Sequence, residues 1–130
     1  MNIKTASYPE DKSGTEARGV DQHMDITNWK DLETVTMFHL VSRKSFSGKN
    51  ITVARVHLGR GSTVPGHRHP NEQMTIVLSG KVIFTGEKEV KTATAGDIVH
   101  TPSDAYHVVS ALEDSIVLDI FSPTRSDWNE

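Results

Sequence analysis

The chain has 130 residues, enough for about one domain built on a single hydrophobic core. Its 14 Lys and Arg against 17 Asp and Glu leave a formal net charge of −3, so there is no basic field on which nucleic acid would dock. Cysteine is absent, which excludes disulfides, redox thiols and thiolate metal sites and fits a cytoplasmic location.

The opening stretch, MNIKTASYPEDKSG, has no apolar run after Lys4 and is expected to be neither a secretory signal nor a membrane span. Residues 1–25 carry scattered apolar groups (Ile3, Tyr8, Val20, Met24) with no period of 3.6 or 2, and read as an N-terminal arm, flexible or packed on a neighbouring subunit. Residues 26–130 read as one domain. Asp25 to Leu32 is turn-like, anchored by Trp29 and Leu32, with room for a single helical turn.

From Thr34 onward strands alternate with turns. Thr34–Val41 is rich in β-branched and aromatic residues, Ser45–Asn50 reads as a turn, and Ile51–Leu58 as the next strand. Further strands are expected over Gln73–Leu78, Val82–Thr85, Val90–Thr92, Ile98–Thr101, Tyr106–Ser110 and Ser115–Phe121, each bounded by Gly, Pro, Asp or Ser. No stretch supports a helix of three turns. Strands at this spacing predict an all-β sandwich or barrel.

Parity within the strands adds direction. Gln73, Thr75, Val77 and Ser79 share one face, and Met74, Ile76 and Leu78 the other; Val117, Asp119 and Phe121 alternate with Ile116, Leu118 and Ile120 in the same way. The face with Gln73 and Asp119 suits a mixed ligand cavity. The opposite face is uniformly apolar and is expected to pack on a second sheet or a second subunit, so a homodimer is predicted. Arg55 and His57 are assigned inward-pointing parity. His23, His39, His57 and His100 are taken as structural, and Tyr106 as a packing residue.

Between Gly61 and Gly80 the chain reads GSTVPGHRHPNEQMTIVLSG. His67 and His69 lie one residue apart, so both imidazoles project from one side of an extended strand, and Gln73 shares their parity if the strand resumes after Pro70-Asn71. His107, beyond the corner Gly96–Ala105, offers a fourth lone pair. Four such donors suit one divalent ion: zinc, nickel, cobalt, manganese or iron. Glu72 has the wrong parity to join them.

These two stretches resemble the first and second cupin motifs. Gly61-x5-His67-x-His69-x3-Gln73-x6-Gly80 is similar to the first, and Gly96-x5-Pro102-x-Asp104-x2-His107 to the second. The resemblance implies a cupin fold, a double-stranded β-helix or jelly-roll barrel, with the metal held by His67, His69, Gln73 and His107. The chain departs from the common pattern at Gln73 (usually Glu), Asp104 (usually Gly) and Ala111 (often Asn). A neutral Gln73 leaves a dication its full charge, which favours an anionic substrate and disfavours oxidation to a trivalent state.

Within cupins the chain resembles the KdgF family, small enzymes of pectin and alginate breakdown. The resemblance rests on His67-Arg-His69-Pro-Asn-Glu-Gln73 and on Asp119-Ile-Phe121-Ser-Pro-Thr-Arg125, which fits that family's D-x-F-x3-R pattern. It implies that Asp119, Phe121 and Arg125 are catalytic and that 4,5-unsaturated uronates are converted to linear 4-deoxy keto-uronates. A cupin dioxygenase, another small-acid lyase or isomerase, and a non-catalytic metal- or sugar-binding cupin stay open as alternatives. Cupin lyases acting on dimethylsulfoniopropionate are similar in size and first motif, but use a tyrosine two residues after the last ligand, where this chain has Thr75.

Overall fold

The structure, a computed structural model, describes residues 22–128. Residues 1–21 of the expected arm therefore lie outside the described residues, while Gln22–Asn28 run exposed and without regular structure. One 3-10 turn, Trp29–Asp31, follows, capped by the Asn28 side chain accepting from Lys30 N–H. It is the single helical turn expected there, and no helix of the described residues is long and apolar enough to cross a membrane.

Ten strands make up the rest of the described chain: β1 Val35–Phe38, β2 Val41–Ser47, β3 Thr52–Leu58, β4 Thr63–His67, β5 Glu72–Ser79, β6 Lys81–Thr85, β7 Val90–Thr94, β8 Ile98–Thr101, β9 His107–Ala111 and β10 Ser115–Ser122. They form two antiparallel sheets, one of six strands in the order β1-β2-β3-β10-β5-β8 and one of four in the order β4-β9-β6-β7. Consecutive strands often sit in different sheets, as a jelly roll requires. The core between the sheets is small and aliphatic, with Val41, Ala54, Leu58, Val77, Val82 and Val117 all nearly inaccessible and Phe121 the largest buried side chain.

Three expectations need correction. The stretch read as one strand, Thr34–Val41, is broken by a hairpin at His39-Leu40, and β2 runs on through the first residues of the expected turn at Ser45–Asn50. Leu40 adopts φ +61, a left-handed conformation for which a leucine gives no sequence signal. His67 and His69 do not share a strand: β4 ends at His67 and His69 stands in the corner before β5. Arg55 and His57 point outward, because Ala54 and Val56 are the register partners of inward-facing Asp119 and Val117 and so claim the lumen side of β3.

Elsewhere the parity holds except at Ser79, which a register shift between β5 and β10 leaves exposed opposite Ile116. Gln73, Thr75 and Val77 are buried, whereas Glu72 faces away and pairs with His100 at 2.8 Å. His23, His39 and His57 are exposed, and none of them approaches the lumen cluster. Tyr106 also faces away from the lumen; it lies so close over Gly66 that a Cβ there would overlap its hydroxyl. Asp104 occupies φ +62, which explains why cupins commonly carry glycine at this corner and why an aspartate is the sort of residue that can replace it.

The outer face of the six-stranded sheet carries the apolar residues of opposite parity. Ile76, Ile116, Leu118 and Ile120 are half-buried, and Met74, Leu78 and Ile98 are 42%, 50% and 66% exposed. Beside them the Arg55 Nε is buried with no hydrogen-bond partner among the described residues. An apolar patch of this extent calls for a partner that brings hydrocarbon. We propose that a second copy of the chain covers this face, with Ile116, Leu118 and Ile120 of each copy packed about a two-fold axis near β10. Apolar burial there contributes about 25 cal/mol per Å² before association costs. Light scattering at micromolar concentration is expected to give twice the chain mass of 14.4 kDa, and Leu118→Glu to give the monomer.

Candidate functional site

Strand register assembles the site. In the four-stranded sheet His67 is the cross-strand partner of His107, and their rings lie 4.3 Å apart. In the six-stranded sheet, pairing of β5 with β10 sets Gln73 beside Phe121 and Thr75 beside Asp119. The corner between β4 and β5 swings His69 between the two layers, its ring 5.4 Å from that of His67 and 5.1 Å from that of His107. A ring nitrogen from each of the three histidines lies within 4.8 Å of the others, so they form a group able to hold a metal ion.

Hydrogen bonding decides which nitrogens face inward. His67 Nδ1 lies 2.8 Å from the Pro65 carbonyl, His69 Nδ1 3.0 Å from that of Asn71, and His107 Nδ1 2.8 Å from that of Ala105. Carbonyl oxygens only accept, so each Nδ1 carries the proton and each Nε2 is left with a lone pair. Burial lowers the pKa of His69 and brings that of His107 down to about 4, which disfavours the charged form of both rings. Backbone carbonyls that fix the tautomer in this way are the usual outer support of metal-binding imidazoles.

Gln73 completes the set. Its Nε2 donates to Thr75 Oγ1 at 2.9 Å and to Asp119 Oδ1 at 3.2 Å, so its Oε1 faces His69 Nε2, 3.1 Å away. With His69 in the tautomer its Nδ1 contact requires, two acceptors meet at that distance. The other tautomer only moves the conflict to the Asn71 carbonyl, and burial opposes the doubly protonated ring. A cation resolves it. The residues present therefore fit the expected divalent ion, with three imidazoles and one neutral amide as donors.

Asp119 lies deep in the lumen, and what surface it keeps opens on the cavity. Burial pushes its carboxyl up to about 6, against the hydrogen bonds from Thr75 and Gln73 that lower it. Thr75 Oγ1 donates to Asp119 Oδ1 at 2.6 Å, the same oxygen that Gln73 reaches. Both bonds converge on Oδ1 and leave Oδ2 free of them.

The C-terminal segment supplies Phe121, Arg125 and Trp128. Phe121 is buried against His69 and Trp128, with ring centroids 5.7 and 5.2 Å away, and the Arg125 guanidinium lies 4.8 Å from the Phe121 ring and 4.2 Å from that of Trp128. Arg125 is already bidentate: Nε and Nη2 donate to Asp127 Oδ1 and Oδ2 at 3.0 and 2.8 Å. Asp127 stands on the solvent side, its side chain 60% exposed against 9% for Arg125. An incoming carboxylate is therefore left the N–H groups that Asp127 does not take.

Six of the seven residues named from the sequence (His67, Gln73, His107, Asp119, Phe121 and Arg125) line one cavity of about 50 Å³, and His69 adjoins it through Gln73. This is room for an ion and a few waters. Thr75, Asn71, Asp127 and Arg43 escaped the sequence reading as members of the site. Thr75 was legible in principle, since it shares the parity of Gln73. Arg43, whose guanidinium lies 4.0 Å from the Trp128 ring, needed the break at Leu40 to be seen before its inward parity could be assigned. Asn71 and Asp127 act through contacts that no local pattern announces.

Comparison with known proteins agrees with this geometry. The pectin degradation protein KdgF of Dickeya dadantii (strain 3937) is 29% identical over 109 residues, covering 80% of this chain and 93% of the relative. Among solved structures, KdgF from Halomonas sp. superposes with a TM-score of 0.71 at 27% identity, over 77% of this chain and 95% of that one. An RmlC-like cupin from Shewanella frigidimarina NCIMB 400 gives a TM-score of 0.76 at 20% identity, over 82% and 97%, a likeness of fold. The cupin domain family matches residues 54–121, over half the chain and the span that holds all four donors and Asp119, and the chain belongs to the cupin family.

Proposed function

We propose that this cupin catalyses the metal-dependent conversion of 4,5-unsaturated uronate monosaccharides to linear 4-deoxy keto-uronates. The observation that carries the reading is the position of the Gln73 side chain: one end faces the histidine cluster and the other hydrogen-bonds Asp119. A cation site and a proton-handling carboxyl thus share one small cavity. Similarity to a protein named for pectin degradation supports the substrate class.

A divalent ion in this cage would supply an uncancelled double positive charge, since no donor is anionic, and would attract and polarise an acidic substrate. The chain's own groups handle the rest. In the substrate the C4–C5 double bond belongs to a cyclic enol ether. Asp119, with Oδ1 held by Thr75 and Gln73, presents Oδ2 to carry a proton to C4. Water adds at C5 to form a hemiketal, which opens to a C5 ketone as the ring oxygen leaves and is protonated. Arg125, packed against both Phe121 and Trp128, holds the substrate carboxylate through the N–H groups turned away from Asp127. Phe121 forms the apolar wall against which the sugar ring is aligned.

Two outcomes are expected. His67→Ala combined with His69→Ala should abolish metal stoichiometry in the purified protein, whereas Gln73→Glu should keep or tighten metal binding and slow turnover, because its charge offsets that of the ion; elemental analysis and rate assays read the two effects separately. Asp119→Ala and Arg125→Ala should each lower the rate by on the order of 100-fold with fold and metal content intact. Proton NMR follows the unsaturated sugar becoming the linear ketone, with buffer alone as control because the reaction also runs slowly unaided. No acceleration by the metal-loaded protein, on either galacturonate- or mannuronate/guluronate-derived sugar, would overturn the reading.

A further inference from the structure

Asn71 sits in the corner between His69 and β5 and is 3% exposed, one of the most deeply buried polar residues of the described chain. Its Nδ2 donates to two carbonyls of the C-terminal segment, Pro123 O at 2.6 Å and Thr124 O at 3.0 Å, more than fifty residues away in sequence. Its backbone carbonyl accepts from His69 Nδ1. The residue thus touches both halves of the site: the metal motif through its main chain and the Arg125 segment through its side chain.

Trp128 packs the segment it grips onto Phe121 and Arg43, but few other hydrogen bonds tie its backbone to the barrel. After β10 ends at Ser122, the Arg125 N–H donates to Thr52 Oγ1 at 3.0 Å, and the Arg125 side chain pairs with Asp127, two residues away on the same segment. That ion pair moves with the segment and does not tie it to the barrel. We propose that Asn71 is a positioning residue: its amide straps the segment Pro123–Trp128 across the end of the lumen and so sets where Arg125 can meet an anion. This rests on the proposed role of Arg125, but the strap itself is a statement about hydrogen bonds and is tested without substrate.

The two roles of Asn71 separate on mutation because one is main-chain and the other side-chain. Asn71→Asp is nearly isosteric and keeps the carbonyl that orients His69, yet cannot donate to Pro123 or Thr124; Asn71→Ala removes the donor without adding charge. Losing two buried hydrogen bonds is expected to raise trypsin cleavage after Arg125 on the order of tenfold, seen as loss of the final residues by intact-mass spectrometry. Cleavage at Lys81 and Lys91, in the barrel, is expected to stay at the wild-type rate. Zinc affinity against a competing chelator should stay within about threefold, as the imidazole set is untouched. Calorimetry with galacturonate, a saturated uronate, should show the affinity lost to the extent seen for Arg125→Ala, with no further loss in the double variant.

Unchanged cleavage after Arg125 would overturn the proposal. So would a large fall in zinc affinity with the segment still protected, which would make Asn71 merely a support for His69. Loss of the whole fold in both variants would do the same, since a local strap is not needed for the barrel. Wild-type protein that binds galacturonate but converts no unsaturated uronate would sink the proposed reaction and leave the strap standing.

Discussion

Three imidazoles each give their one N–H to a backbone carbonyl, and an amide oxygen faces the lone pairs this leaves inside the barrel. An unsatisfied buried acceptor costs about 1–3 kcal/mol, and protein cores ordinarily avoid even one. His69 Nε2 and Gln73 Oε1, 3.1 Å apart, are two acceptors set against each other, a penalty on the ion-free fold. The rest of the structure is arranged to bear it: antiparallel pairing on both flanks of β10, and an aliphatic core packed around Phe121, Val117 and Leu58. A cation turns the same contacts from a cost into a stabilisation, so folding and metal affinity are linked through this cluster.

Register delivers that arrangement. Side chains alternate with a period of two, so a slip of one residue between β5 and β10 would move Gln73 and Thr75 off the face they share with Asp119. The apolar neighbours on that face, Val77, Val117 and Phe121, make the slip expensive, because it would carry them into solvent as well. The catalytic candidates are in this sense held in place by the core residues between which they sit. The choice of glutamine at 73 fits the same logic. A glutamate would put a second carboxylate beside Asp119, where the amide instead donates to it.

Charge is graded from the inside outward. Burial disfavours the charged forms of His69, His107 and Asp119 in the lumen. Arg125 stands at the boundary, packed against the Phe121 and Trp128 rings, and its counter-ion Asp127 lies outside in water. A guanidinium in that position is held in orientation without being fully neutralised, since an exposed ion pair is heavily screened. It is a place where an anionic ligand can compete.

The all-β architecture was legible in the chain because it depends on local periodicity, whereas the jelly roll and the candidate catalytic set were legible through motifs that resemble a known family's. Alternation placed Gln73, Thr75, Val77 and Asp119 on one face, glycine and proline marked nearly every corner, and the spacing of His67, His69, Gln73 and His107 announced a ligand set. Where local signals were lacking the reading erred: Leu40 turns the chain without a turn residue, and Arg55 and His57 took the wrong face because the inward side of β3 is chosen by its pairing with Asp119 and Val117, far along the chain. Tertiary structure alone decided which imidazole nitrogen faces the lumen, which oxygen of Asp119 is left free, that Arg125 is shared with Asp127, and that Asn71 reaches across to Pro123 and Thr124. Some of these partnerships join distant segments and others lie two residues apart, but all depend on a folded geometry that periodicity does not specify. Periodicity tells which way a side chain points, and only the folded chain determines what it finds there.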